Sequence, residues 1–117
     1  FGINNMLITE SGCCGRYGTI VTNLDVAPDP VPEQERCIYK RKGKCGACIA
    51  RCPSGALSPE GFDREKCYIV LRKNAERYTE FGSSYFKESG EAPNSSGSEV
   101  CGKCASNVPC SFFDLEK

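Results

Sequence analysis

Ten of the 117 residues are cysteine, and their spacing marks where this chain can do chemistry. One group reads Cys37-x7-Cys45-x2-Cys48-x3-Cys52-Pro53. A second consists of Cys67 and then Cys101-x2-Cys104-x5-Cys110. Thiols at this density serve disulfides, zinc or iron-sulfur clusters. A C-x2-C turn puts two thiolates on one side of a tight loop, where both can reach one metal centre. A further x3 step ahead of a proline turns the next thiolate away, towards a different centre. Histidine is absent, so the commonest general acid/base is missing and any zinc site would have to do without it.

The tail C-x2-C-x3-C-P is the end of the bacterial ferredoxin run C-x2-C-x2-C-x3-C-P, with the opening x2 replaced here by the x7 insertion Ile38 to Lys44. The second group again supplies three thiolates and one later one. This mirrored layout predicts two [4Fe-4S] clusters with crossed ligation. Cluster I would take Cys37, Cys45, Cys48 and Cys110, and cluster II Cys52, Cys67, Cys101 and Cys104. Crossing would stitch the two halves of the chain together. A disulfide framework is the first alternative, and CxxC pairs in a chain without secretory features argue against it. An all-thiolate zinc site from Cys45, Cys48, Cys101 and Cys104 is the second, and it leaves Cys37, Cys52, Cys67 and Cys110 unexplained. Cys13 and Cys14 are adjacent and cannot easily ligate one cube. They read as small buried thiols in a turn, with a redox or cofactor-proximal role as the alternative.

Residues 36–51 carry Arg36, Lys40, Arg41, Lys42, Lys44 and Arg51 and no acidic side chain. Cations beside an anionic four-thiolate cube would offset its charge, raise its potential and offer a dock for an acidic electron donor. The alternative is a solvated basic loop. Over the whole chain 15 basic and 15 acidic residues cancel, so charge makes no case for nucleic acid or a membrane surface. No apolar run approaches the ~20 residues of a membrane span. A cytoplasmic location is expected. The start Phe1-Gly2-Ile3-Asn4-Asn5 is neither a signal peptide nor an initiating methionine, and we expect a fragment.

The elements that must hold these thiols follow from pattern. Hydrophobic content is 39%, which allows only a modest apolar core in one small domain. Met6-Leu7-Ile8-Thr9 and the alternating Thr19–Val26 stretch predict two strands of a hairpin across a turn with Gly12, Gly15 and Gly18. Pro28, Pro30 and Pro32 force an extended linker. A helix is expected near 63–81, capped by Asp63. Cys67, Leu71, Ala75, Tyr78 and Phe81 would form its apolar stripe. Residues 82–99 are rich in Ser, Gly and Glu and read as a mobile surface loop.

The chain also resembles the iron-sulfur part of epoxyqueuosine reductases, a cobalamin-dependent family related to reductive dehalogenases. Gly2 to Thr9 is similar to a segment G-x-N-x-L-L-I, and Gly18 to Leu24 to a strand G-x-I-x-T-x-L. Cys45 to Leu57 is similar to C-x-x-C-x-x-x-C-P-T-G-A-I, and Phe62 to Tyr68 to L-D-x-x-x-C-I. Cys101, Cys104 and Cys110 would be the last element. The resemblance implies a two-cluster relay that reduces cobalamin in an upstream nitroreductase-like domain. Residues 1–30 would be the end of that domain, and its catalytic acid would lie upstream as well.

The expected architecture is α+β. Residues 1–32 would be a β-hairpin remnant of an upstream domain with a Pro-rich linker. Residues 33–117 would be a ferredoxin-like double-cluster domain. Such a module takes electrons from a donor such as flavodoxin or ferredoxin and passes them to cobalamin or a flavin, with no catalytic residues of its own. A stand-alone ferredoxin-type carrier and a zinc-binding interaction module are the alternative functions.

Overall fold

A computed structural model describes residues 1–82 and 97–112. The first helix, α1, runs Ile38–Lys42, directly after Cys37. It stops at Gly43, whose left-handed backbone (φ 64°) returns its N–H to the Tyr39 carbonyl at 2.7 Å, the usual glycine helix end. The second, α2, spans Ala47–Arg51 and begins after Gly46 at φ 90°. It ends at Cys52, which is extended (ψ 113°). The cause is Pro53, whose ring excludes the preceding residue from helical backbone.

A two-residue hairpin follows, with β1 Leu57–Ser58 antiparallel to β2 Gly61–Phe62 and Leu57 opposite Phe62. The longest helix among the described residues, α3, covers Arg64–Arg77. Asp63 caps it as expected, its carboxylate accepting from the Lys66 N–H at 3.1 Å. A single 3-10 turn at Thr79–Phe81 closes this part. The apolar stripe of α3 is shorter than expected. Ala75 is buried and Cys67 and Leu71 are half-buried, but Phe81 is 73% exposed. The helix ends at Arg77, so Tyr78 and Phe81 no longer follow its face.

Of the expected loop 82–99, residues 83–96 lie outside the described part. The chain is back against α3 at Gly97, which donates to the Ala75 carbonyl at 3.1 Å, and Ser98 donates to Tyr78. A Cβ at Gly97 would overlap both carbonyls, so only glycine permits this approach. Residues 101–112 form successive turns stapled by Ser111. Its buried hydroxyl donates to the Ala105 carbonyl at 2.6 Å and accepts from the Val108 N–H at 2.8 Å.

The expected hairpin in residues 1–30 does not form. Among the described residues of that stretch, pairing is limited to a single bridge between Thr9 and Gly12. Residues 14–35 are exposed throughout. Ile20 and Val21, from opposite faces of the alternating stretch, are 88% and 100% exposed. A strand needs a neighbour for its N–H and C=O groups and a surface for its apolar face, and Thr19–Val26 has neither among the described residues.

The first thirteen residues instead pack into the same core as the cysteine loops. That core is Ile8, Cys13, Cys37, Cys48, Leu57, Ala105 and Val108. Three of these seven are cysteines. The core of the described residues is therefore built in part from the thiols themselves.

Candidate metal centre

The cysteine loops position their thiols through unusual backbone. Cys45 has φ 106° and Gly46 φ 90°. A left-handed cysteine is strained by roughly 1–3 kcal/mol. Together the two residues swing the chain from the exposed Lys42–Lys44 turn into α2, so that Cys48 points inward from its first turn. Cys37 enters the same space from the start of α1. Cys110 enters it from the C-terminal turns. A pocket is lined by Cys37, Cys45, Cys48 and Cys110, and much of its remaining wall is apolar: Ile3, Ile8, Ile38, Ala47 and Val108.

These thiols feel one another. Burial pushes the Cys48 thiol up, and the neighbouring Cys37 and Cys45 add to the rise, while the Ile49 N–H and its own N–H oppose it. Cys110 is pushed up to about 12, first by burial, then by the adjoining Cys13, with Cys48 contributing further.

A second neighbourhood joins Cys52, Cys67, Cys101 and Cys104. The Cys67 thiol is raised by burial and then by Cys101 and Cys52. Cys104 is raised by burial, then by Cys101, with Cys67 and Cys52 behind. Cys52 differs. Burial works to raise it, but the Ser54 hydroxyl at 3.4 Å and the N–H groups of Ser54, Leu57 and Ala56 together hold it below the usual thiol range. This nest of donors is why a serine and a glycine follow Pro53. Gly55 at φ 62° curls the chain so that successive N–H groups surround one sulfur.

Among the described residues no three thiol or carboxylate side chains converge closely enough to hold a single metal ion. A single zinc draws its thiolates to about 2.3 Å from one point. A cube takes one thiolate on each of four irons and spreads its ligands wider.

The two adjacent cysteines part company. Cys13 is fully buried, as the reading of small buried thiols requires, whereas Cys14 is exposed. Cys13 Sγ lies 3.5 Å from Cys110 Sγ. Spacing alone passed over Ser54 and this Cys13 contact. The first has a local signal, a hydroxyl two residues after Cys52. The second spans 97 residues of sequence and has none.

The basic stretch 36–51 is partly neutralised. Arg36 pairs with Glu10 at 3.2 Å and Lys40 with Glu35 at 3.9 Å, exposed contacts worth about 0–1 kcal/mol. Arg51 Nε donates to the Lys103 carbonyl at 3.2 Å and so ties α2 to the Cys101–Cys104 turn. Lys42 and Lys44 project from the exposed turn ahead of Cys45.

No family model matches this chain, and no solved structure matches it. Curated relatives do. The chain is 39% identical over 74 residues to an epoxyqueuosine reductase of Francisella cf. novicida (strain Fx1), which is 60% of this chain and 19% of that protein. It is 38% identical over 72 residues to an epoxyqueuosine reductase of Bacillus anthracis, 60% of this chain and 17% of that protein. The sequence is similar to epoxyqueuosine reductases. A third relative, named as an uncharacterized protein in gldA 3'region of Geobacillus stearothermophilus, is 36% identical over 63 residues, 53% of this chain and 26% of that protein. The chain thus spans about a sixth to a quarter of the length of these relatives. Among the described residues no helix is long and apolar enough to cross a membrane.

Proposed function

We propose that this chain is an electron-transfer module holding two [4Fe-4S] clusters, working as the iron-sulfur part of a larger epoxyqueuosine reductase-like oxidoreductase. The observation that carries the proposal is the sorting of eight thiols into two neighbourhoods of four, one of them around a largely apolar pocket. The residues fit the group. The ligands on offer are all thiols, the type that iron-sulfur clusters take. Cys37, Cys45, Cys48 and Cys110 would hold one cluster, and Cys52, Cys67, Cys101 and Cys104 the other. When bound, each cluster supplies a one-electron redox centre.

The chain's own residues then set the conditions. The apolar wall of Ile3, Ile8, Ile38 and Val108 keeps water from the side of the first set where Cys37 and Cys48 are buried, Cys45 being exposed, and disfavours added negative charge there. The N–H groups at Cys48 and the Ser54 nest at Cys52 stabilise thiolate charge and work the other way. The raised thiols must lose their protons to bind iron, so cluster uptake releases protons. Lys42 and Lys44 offer an acidic donor such as flavodoxin or ferredoxin a place to dock beside Cys45. The exposed residues 14–32, with Thr19–Val26 among them, would meet an upstream domain that carries the cobalamin or flavin acceptor.

The test is an anaerobic reductive titration of the reconstituted chain, followed by visible absorbance. Uptake of about two electrons per chain, with bleaching, is the expected result. A chain that takes up none would overturn the proposal.

A further inference from the structure

Cys13 is not among the eight thiols that the electron-transfer reading uses, yet no described residue is better buried. It has 0% exposure. Its position is built rather than incidental. Gly12 sits at φ 101° and faces the Ser111 backbone so closely that a Cβ would overlap the carbonyl. That approach lets the Cys13 N–H reach the Cys110 carbonyl at 2.8 Å and the Cys14 N–H reach Ser111 at 3.1 Å. The two segments run together like a short ladder, and the Cys13 and Cys110 sulfurs meet at 3.5 Å. Cys110 lines the pocket and Cys13 does not. Cys13 therefore adjoins two pocket-lining residues, Cys110 and Asn4, without lining the pocket itself.

We propose that Cys13 is a positioning residue for the first cluster: its S–H donates a hydrogen bond to the Cys110 sulfur and raises that cluster's potential. This inference rests on the two-cluster reading above. A sulfur that ligates iron has lost its proton, so the proton between the two sulfurs must belong to Cys13. The competing acceptor is weaker. The Ala105 carbonyl lies 3.8 Å from Cys13 Sγ and already accepts from the Ser111 hydroxyl at 2.6 Å. On the other side the buried Asn4 amide lies 3.9 Å from Cys13 Sγ while donating to the Cys104 carbonyl at 2.8 Å. It can point a donor at Cys13, which favours Cys13 acting as donor towards Cys110 in turn. Water cannot compete at a site with no exposure, so a weak S–H donor counts for more here than on a surface. A hydrogen bond to a ligating sulfur stabilises the extra electron of the reduced cluster, and the potential rises.

The experiment compares midpoint potentials of both clusters in the anaerobically reconstituted chain and in Cys13→Ala, Cys13→Ser and Cys14→Ala. Cys13→Ala should keep about eight irons while one potential shifts downward and the other stays. Cys13→Ser places a hydroxyl donor at the same point and should restore most of the shift. Cys14→Ala should change neither potential. A second readout needs no variant. Pulsed electron-nuclear resonance of the reduced chain should show a coupled proton that exchanges with deuterium only slowly. Unchanged potentials in a folded Cys13→Ala chain, or absence of that proton, would overturn the inference. So would a loss of about four irons in Cys13→Ala, which would make Cys13 a ligand. Absence of iron from the unmutated chain would instead overturn the two-cluster reading itself.

Discussion

Single residues divide, in the proposed function, into thiols that would hold iron and thiols that would not. Cys48→Ser and Cys52→Ser should each lower iron from about eight to about four per chain, because each removes a ligand from a different set. The double variant should bind almost none, and Cys14→Ser should keep its full complement. Iron analysis with protein quantitation reads all four. The cysteines stood out from their spacing alone, since C-x2-C and C-x3-C-P constrain geometry within a few residues. Their partners did not. Ser54 acts on Cys52 only because Gly55 curls the chain, and Cys13 meets Cys110 only after the two ends of the molecule have folded together. Adjacent cysteines of identical chemistry, Cys13 and Cys14, were split into buried and exposed by tertiary contacts.

At the scale of elements, α3 was the most legible part. Its cap and its period lie in consecutive sequence, and the Asp63 carboxylate does accept from the Lys66 N–H. That bond, more than the Lys66 charge, holds the Asp63 carboxyl below its usual value of 3.8. A carboxyl lowered by folding stabilises the fold above its unfolded pKa, and the benefit is lost as pH falls through the folded value. Asp63→Ala should therefore show less helix by circular dichroism than the unmutated chain at neutral pH, and the gap should close below about pH 3.8. A gap that persisted in acid would contradict the cap. The turn carrying Lys42 and Lys44 makes a different prediction. Reversing both to Glu should slow reduction by an acidic donor about tenfold at low ionic strength. The difference should vanish in high salt, where the Debye length shrinks to a few ångström. Stopped-flow reduction at two salt concentrations measures it. The Thr19–Val26 stretch misled because alternation states which face wants burial but not what will cover it.

For the molecule as a whole, the notable fact is how little ordinary core the described residues form. Of the seven core residues, Ile8, Leu57 and Val108 are the larger aliphatic ones, and the rest are cysteines and an alanine. In the proposed reading, bonds between thiolates and iron join segments that the apolar contacts bring together only loosely. Stripping iron with a chelator under reducing conditions should then abolish cooperative thermal unfolding, and anaerobic reconstitution should restore it. A metal-free chain with an undiminished transition would show that the small core suffices. The extent of this dependence was not legible beforehand, because composition reports how much apolar residue is present and not how much of it is buried. Residues 14–35 hold Ile20, Val21, Leu24, Val26 and Val31, all exposed.

In the proposed function eight thiols bind two cubes, and iron and acid-labile sulfide in anaerobically reconstituted chain report on that binding without an intermediary. About eight of each per chain is the expected result. About four of each would contradict the second set of ligands, and zinc bound in place of iron would contradict the electron-transfer reading altogether.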